Sequence, residues 1–239
     1  MPTTEINHGL VGTMLPEWAT PNSEEVALQA RFSVERYCGE DCFTTFGMIA
    51  KMLSEINAPA PLSVIDYGCG MGLLGYTLIS EPELITRYVG YDPSVPIHDQ
   101  REKLLANPPT DLTNSLPLDA PSERISFHQD IKNVEPLAPF DLGLCLSVSY
   151  EWQTDEQYLA EYTMLSSLIK DDGIIIALNR SMHPDIDLSD LRNKGCYFRG
   201  LDHDMELIGK ANLQPVAGNA FTTSPHGVVP YVMALQKTR

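Results

Sequence analysis

An acidic residue followed by three glycines at alternate positions is the most chemically informative pattern in this sequence. Asp66 stands two residues before Gly68, and Gly70 and Gly72 follow, with an apolar run on either side of the motif. The first run is typical of a buried strand and the second of the first turns of a helix. Glycines between them let the backbone turn tightly and approach a ligand, and helix amides attract a negatively charged group. The pattern therefore predicts a loop that binds a nucleotide cofactor.

The same loop fits two classes of cofactor. Gly70 to Gly75 also spells the dinucleotide fingerprint G-x-G-x-x-G. Asp92 follows Gly72 by 20 residues (92 − 72), where a dehydrogenase places the acid that binds ribose. Asp66 favours the other interpretation, because a carboxylate repels an approaching pyrophosphate but attracts a cofactor with a cationic amino group.

The acid-led triple glycine resembles motif I of class I S-adenosylmethionine-dependent methyltransferases, which Asp66, Gly68, Gly70 and Gly72 match in full. The resemblance implies S-adenosyl-L-methionine as the cofactor. It implies that Asp92 binds the ribose hydroxyls and that Asp130 binds the adenine amino group. The residues expected to form the cofactor site are Asp66, Gly68, Cys69, Gly70, Gly72, Asp92, Pro93, Asp130, Ile131, Ser147 and Tyr37.

Strands alternate with helices along the chain, which predicts a doubly wound α/β sheet. The resemblance implies seven mostly parallel strands with helices on both faces and a C-terminal antiparallel hairpin. We expect strands before Asp66 and at 87–93, 124–130, 140–149, 173–178, 215–221 and 228–235. We expect helices at 156–170 and 202–211, with a turn from Lys170 to Gly173.

Residues 1–60 are predicted to form an N-terminal arm and a helical lid, and residues 61–239 the Rossmann-like domain that binds the cofactor. Within the lid, Ser23 is expected to cap one helix, and a second is expected from Cys42 to Ile56. The segment from Asn107 to Ser122 contains four prolines and few apolar residues, so it is predicted to be an inserted surface loop.

The catalytic candidates follow the fourth and fifth predicted strands. Tyr150 is expected to hold the sulfonium by cation–π attraction, and Glu151 is either a general base or a carboxylate at a helix start. Asn179 is the residue best placed to hydrogen-bond a substrate. Metal-dependent members of the family carry an Asp-Asn pair where this chain has Asn179-Arg180, so no metal is expected.

Charge and composition restrict the class of partner. The chain has 16 basic and 32 acidic side chains and a net charge of −16, whereas nucleic-acid binders need a basic surface. No apolar run approaches the roughly 20 residues that span a bilayer, and the five cysteines and the N-terminus favour a cytoplasmic protein. The expected partner is a small-molecule substrate, with no nucleic acid and no membrane, and a homodimer is left open.

Three functions are compatible with these residues. The first is methyl transfer from S-adenosylmethionine to an oxygen or nitrogen of a small metabolite. The second is cyclisation of the cofactor's own aminobutyrate arm to azetidine-2-carboxylate, with release of methylthioadenosine. The third is a non-catalytic subunit that binds the cofactor and activates another methyltransferase. The sequence alone does not separate them.

Overall fold

The computed structural model describes residues 40–108, 110, 113, 116–120, 123–146, 148, 152, 154–182, 199–220 and 228–238. Four predicted site residues, Tyr37, Ser147, Tyr150 and Glu151, lie outside the described residues, as does the helix expected after Ser23.

Helices and strands alternate as the sequence predicts. The helices are α1 (Glu40–Glu55), α2 (Leu73–Ile79), α3 (Val95–Ala106), α4 (Asp155–Leu168) and α5 (Leu201–Lys210). The strands are β1 (Leu62–Tyr67), β2 (Ile85–Tyr91), β3 (Ile125–His128), β4 (Phe140–Leu146), β5 (Ile169–Met182), β6 (Leu213–Ala220) and β7 (Val228–Lys237). Two single-turn 3-10 helices, Ile131–Asn133 and Glu135–Leu137, connect β3 to β4.

The strands form one seven-stranded sheet in the order β3-β2-β1-β4-β5-β7-β6. Strands β1 to β5 are parallel, and β7 runs antiparallel to both β5 and β6. The prediction of a mostly parallel sheet with a closing hairpin is therefore confirmed. The strand order reverses between β1 and β4, and ligands of open α/β sheets bind at the carboxyl ends of the strands at such a point.

Helices cover both faces of the sheet, as predicted. Val64 packs with the core that contains Ile49 of α1 and Leu74 of α2. The next residue, Ile65, points to the opposite face and packs with Leu165 of α4 and Ile208 of α5. Alternation along a strand sends neighbouring side chains to opposite faces, so an apolar pair such as Val64-Ile65 indicates a strand that is covered on both sides.

Helix α1 ends at a residue that is suited to stop it. Asn57 has a φ of 52°, the left-handed conformation that commonly follows the end of a helix and that asparagine tolerates. Pro59 and Pro61 then prevent the helix from continuing. The predicted helix from Cys42 to Ile56 is thus present with small differences at its ends.

One local prediction was wrong. The turn expected from Lys170 to Gly173 lies within β5, because Ile169 already pairs with Phe140. The next pair is Leu142 with Ile174. Between these two pairs β5 has four residues and β4 has one, so β5 carries three extra residues, which form a bulge.

The predicted surface loop after Asn107 is also partly internal. Leu116 has 7% of its surface exposed and packs on the α2 side of the core. Apolar burial at this one position overrides the polar, proline-rich composition on which the prediction depended. In the described ranges, no helix is long and apolar enough to cross a lipid bilayer.

Candidate functional site

The glycine motif forms the connection between β1 and α2. Gly68, Gly70 and Gly72 have φ angles of 75°, 55° and 70°, which lie in the left-handed region that other residues adopt only at a cost. Three such angles in five residues turn the chain sharply from the strand into the helix. This geometry explains why glycine occupies every alternate position.

The two outer glycines are also required for close packing. A Cβ on Gly68 would lie 2.5 Å from Cγ2 of Val148, and one on Gly72 would lie 2.0 Å from Cε1 of Phe127. A Cβ on Gly70 would meet no atom within 4 Å. The loop is therefore tightly packed at both ends and open at Gly70, where a ligand can approach the backbone.

Asp92 connects this loop to the end of β2. Its Oδ2 accepts a hydrogen bond of 2.9 Å from the backbone amide of Gly70, and its Oδ1 accepts one of 2.9 Å from the amide of Ser94. Only 5% of Asp92 is exposed. Burial raises the pKa of this carboxyl, although the two amides and the nearby Arg101 oppose the shift. Each carboxylate oxygen keeps a lone pair for a further donor.

Asp66 is a buried residue near the C-terminal end of β1. It is 3% exposed, and its Oδ2 accepts a hydrogen bond of 2.5 Å from the hydroxyl of Tyr88. Burial, with a smaller contribution from the neighbouring Asp92, raises the pKa of Asp66 to about 7, although the Tyr88 bond opposes the shift. Two buried carboxyl groups therefore flank the start of the loop and favour a cation there.

Backbone hydrogen bonds fix the loop against the neighbouring strands. The amides of Gly68 and Cys69 both donate to the carbonyl of Tyr91, at 2.8 Å and 3.0 Å, and the amide of Asp92 donates to the carbonyl of His128 at 3.1 Å. The ends of β1, β2 and β3 are thereby joined at one edge of the site.

The remaining described members of the predicted cofactor site lie near this edge but are more exposed. Asp130 follows β3, is exposed, and accepts a hydrogen bond of 3.0 Å from the amide of Lys132. Pro93 is exposed, whereas Ile131 and Cys69 are partly buried. The structure thus places these residues at three adjacent strand ends, and their contacts with a cofactor stay predictions.

Asn179 lies in β5 and has no exposed surface. Its Nδ2 donates to the hydroxyls of Tyr162, at 3.1 Å, and Tyr158, at 3.4 Å, and its Oδ1 accepts from Tyr162 at 3.4 Å. The predicted contact of Asn179 with a substrate needs an amide at the surface, so this placement favours a positioning role instead.

The polar network around Asn179 was not predicted from the sequence. The hydroxyl of Tyr231 donates to Oδ2 of Asp204, and Asp204 is 2% exposed with no partner for Oδ1 among the described residues. Burial raises the pKa of Asp204 to about 6. Tyr158 and Tyr162 are four residues apart, which places them on one face of α4, but this spacing carries no signal that their hydroxyls would meet a residue of β5.

Arg199 forms hydrogen bonds with the segment that follows β4 and with the first residue of α4. Its Nη2 donates to the carbonyl of Trp152 at 3.0 Å, and its Nε pairs with Oδ1 of Asp155 at 2.9 Å. The guanidinium also lies 4.7 Å above the ring of Tyr158. Trp152 is itself 5% exposed and packs edge-on against Tyr158 and Tyr162.

Among the described residues, no group of three or more His, Cys, Asp or Glu side chains could hold a metal ion.

No protein-family model and no curated protein sequence matches this chain. Comparison with solved structures shows the fold. The mitomycin 7-O-methyltransferase MmcR superposes with a TM-score of 0.63 at 16% identity, over 95% of this chain and 61% of that one. The 1,6-didemethyltoxoflavin-N1-methyltransferase of Burkholderia thailandensis, solved with 1,6-didemethyltoxoflavin and S-adenosylhomocysteine, gives 0.57 at 19% identity over 92% of both chains.

A third solved structure gives the same result. The magnesium protoporphyrin IX methyltransferase of Synechocystis with bound S-adenosylmethionine gives a TM-score of 0.54 at 16% identity, over 81% of this chain and 78% of that one. Similarity at these identities concerns the arrangement of the backbone. The strand order, the closing hairpin and these superpositions together show that the chain has the fold of class I S-adenosylmethionine-dependent methyltransferases.

Proposed function

We propose that this protein transfers a methyl group from S-adenosyl-L-methionine to an oxygen or nitrogen of a small metabolite. The observation that carries the proposal is the glycine loop, which is open at Gly70 and hydrogen-bonded there to Asp92 at the switch point of a methyltransferase fold. One fold can host many functions, so these residues, and not the fold alone, support the assignment.

The residues of the site fit this cofactor. The open face at Gly70 leaves room for a ligand beside the backbone, and Asp92 can accept the ribose hydroxyls with its free lone pairs. Asp66 and Asp92 together favour the positive charge of the amino group and the sulfonium. Asp130, at the end of β3, is the proposed acceptor for the adenine amino group. When bound, the cofactor would supply an electrophilic methyl group.

The same electrostatics argue against a dinucleotide. A pyrophosphate at this loop would lie beside two buried carboxyl groups, and its approach would raise their pKa values and cost binding free energy. The open position at Gly70 would accept either ligand on steric grounds. Charge, and not steric fit, therefore favours S-adenosylmethionine over a dinucleotide.

The acceptor is proposed to be a small molecule. The three compared enzymes are named for a mitomycin, a toxoflavin precursor and a magnesium protoporphyrin, and a net charge of −16 opposes a nucleic acid. Alignment of the nucleophile and exclusion of water can supply much of the rate of such a displacement. Tyr150 and Glu151 remain the proposed contacts to the reacting centre, with Glu151 as base if the nucleophile must lose a proton.

One experiment separates methyl transfer from the other two functions. The pure protein is incubated with S-adenosylmethionine bearing a labelled methyl group, with and without a panel of small phenols and heterocyclic amines, and products are identified by mass spectrometry. Labelled product and S-adenosylhomocysteine that form only with an acceptor support the proposal. Methylthioadenosine formed from the cofactor alone would indicate cyclisation, and binding without turnover of any panel member would favour the partner subunit.

Calorimetry tests the choice of cofactor independently of the acceptor. We expect S-adenosylhomocysteine to bind and NAD not to bind. Preferential binding of NAD would contradict the proposal, whatever the result with the acceptor panel.

A further inference from the structure

Two polar side chains of α3 are buried directly behind Asp92. Arg101 is 5% exposed and His98 is 4% exposed. Nη2 of Arg101 lies 2.5 Å from Nδ1 of His98, and Nε2 of His98 lies 2.7 Å from the backbone carbonyl of Asp92. Buried arginines are rare unless they are paired, and here the arginine is paired with an imidazole.

The direction of these hydrogen bonds follows from chemistry. A guanidinium only donates, so Nδ1 of His98 must accept from Arg101. Nε2 then carries the proton of the neutral ring and donates to the carbonyl of Asp92. A protonated His98 would place an N–H against the N–H of Arg101, so the arrangement requires the neutral ring. The pKa of His98 is lowered, first by burial, and Arg101 adds to the shift.

Arg101 also supports the glycine loop from behind. Its guanidinium lies 4.1 Å above the ring of Phe127, a favourable cation–π arrangement. The ring of Phe127 fills the space where a Cβ on Gly72 would lie. Arg101 is thus connected to both sides of the site. It is linked to Asp92 through His98 and to the glycine loop through Phe127.

The charge of Arg101 acts on Asp92 as well. Burial raises the pKa of Asp92, and Arg101 is among the groups that lower it. An ionised carboxyl accepts hydrogen bonds at both oxygens, whereas a protonated one has to use one oxygen as a donor, so the buried cation supports the form that is the better acceptor for ribose. Nη1 of Arg101 has no hydrogen-bond partner among the described residues.

We propose that Arg101 and His98 are positioning residues for the cofactor, holding Asp92 and the glycine loop in the binding arrangement as long as His98 is neutral. This inference rests on the proposed function. The groups that face His98 are Arg101 and Glu102 of its own helix, Asp92 at the end of β2, and His128 of β3. Cys69, Tyr76 and Tyr88 face Arg101.

The sign of the pH dependence follows from the neutral ring. Above the ordinary histidine pKa the ring is neutral and both hydrogen bonds form. As the pH falls through the lowered pKa of His98, protonation breaks the bond from Arg101, and affinity for the cofactor falls. Protonation of Asp66 weakens affinity over a higher range, since its pKa is about 7.

Five variants test the pair by calorimetry with S-adenosylhomocysteine between about pH 5.5 and pH 8, after circular dichroism has shown that each is folded. Arg101→Met and His98→Ala are expected to weaken binding about tenfold, as expected for loss of a hydrogen bond to a charged group. Lys103→Met, an exposed cation on the same helix, is the matched control and should bind normally. His98→Gln can accept from Arg101 and donate to Asp92, but it cannot be protonated.

The glutamine variant gives the sharpest result. We expect His98→Gln to bind like the wild type near pH 8 and to show a smaller decrease in affinity at the acidic end, because only the part caused by protonation of Asp66 remains. His128→Gln keeps His98 and should show a decrease as large as that of the wild type. Wild-type binding by folded Arg101→Met and His98→Ala would overturn the positioning role. An unchanged acidic decrease in His98→Gln would overturn the requirement for a neutral ring, and this comparison decides even if Arg101→Met does not fold. If the wild-type protein binds no S-adenosylhomocysteine, the proposed function itself fails, and the role assigned to the pair fails with it.

Discussion

The hydroxyl of Tyr88 donates a 2.5 Å hydrogen bond to Oδ2 of Asp66, and both residues are buried in the sheet next to the glycine loop. The acid that distinguishes this motif is therefore not freely exposed to solvent. It is fixed by a neighbouring strand before any ligand arrives. An acid in this environment titrates near neutral pH, since its pKa is about 7.

This environment makes folding depend on pH. The pKa of Asp66 in the folded protein lies above its ordinary value of 3.8, so protonation of this acid stabilises the folded state. This contribution is complete below the unfolded pKa and is lost as the pH rises through about 7. We expect the contribution of Asp66 to the free energy of unfolding to decrease between about pH 4 and pH 7, and urea titrations can measure it.

Asparagine at position 66 isolates this effect. Asp66→Asn keeps an acceptor for Tyr88 but cannot ionise, so the decrease with pH should be smaller. One pKa unit corresponds to about 1.4 kcal/mol, which is large enough to measure. Asp204→Asn should act in the same direction through a pKa of about 6. The exposed Asp99→Asn is the control, and an equal slope in all four proteins would contradict the explanation.

Asp92 is predicted to be essential for the affinity of the cofactor. Asp92→Ala removes the proposed acceptor for the ribose and the bond to the Gly70 amide, so affinity for S-adenosylhomocysteine should fall at least about tenfold. Asp99→Ala removes an exposed carboxylate from the same region and should bind normally. A folded Asp92→Ala protein with the wild-type dissociation constant would show that the ribose lies elsewhere.

Gly70 is predicted to matter for ligand access rather than for internal packing. Gly70→Ala introduces a Cβ into open space, although a φ of 55° makes alanine cost about 1–2 kcal/mol. We expect a folded protein with weaker binding of S-adenosylhomocysteine. Gly47→Ala also adds a Cβ into open space, but within α1, and should leave binding unchanged. If both variants bind equally well, the ligand does not lie against Gly70.

The sequence predicted the order of the elements because the signals were local. The apolar pair Val64-Ile65, the three glycines and the acid after β2 each report their own surroundings, and together they define the sheet and the loop. The side-chain partners could not be predicted in the same way. Tyr88 is 22 residues from Asp66, and no motif or spacing in the sequence singled out Arg101. Which of these groups meet depends on the register of β1 with β2 and on the rotation of α3, and neither leaves a pattern in the chain.

Asn179 shows the opposite failure. Its place after a predicted strand suggested a residue facing the substrate, because strand ends meet at the ligand site. Strand β5 instead continues to Met182, so Asn179 lies inside the sheet. The existence of this strand was predicted correctly, but its C-terminal end was placed too early in the sequence. This error put Asn179 beyond the strand.

We therefore expect Asn179→Ala to affect stability first. The change leaves the buried hydroxyls of Tyr158 and Tyr162 with fewer partners, which should lower the free energy of unfolding by about 1–3 kcal/mol. The exposed Asn133→Ala should change it by less than about 0.5 kcal/mol. Urea titration measures both. A stable Asn179→Ala protein with strongly reduced turnover would restore the direct role in substrate binding.

Arg199 is predicted to keep Trp152 in its buried position. Arg199→Gln removes the cation–π contact to Tyr158 and weakens the bonds to the Trp152 carbonyl and to Asp155. We expect the emission of Trp152 to shift to longer wavelength as its ring becomes more exposed. The chain has two tryptophans, so the measurement is made in a Trp18→Phe background, with Lys210→Met as the control for loss of an exposed cation.

Tyr150 and Glu151 precede Trp152 in the sequence, so the same variant should lower turnover while affinity for S-adenosylhomocysteine stays within about twofold. An unshifted spectrum with normal turnover would mean that the edge-on packing of Trp152 on Tyr158 and Tyr162 holds this segment without the arginine.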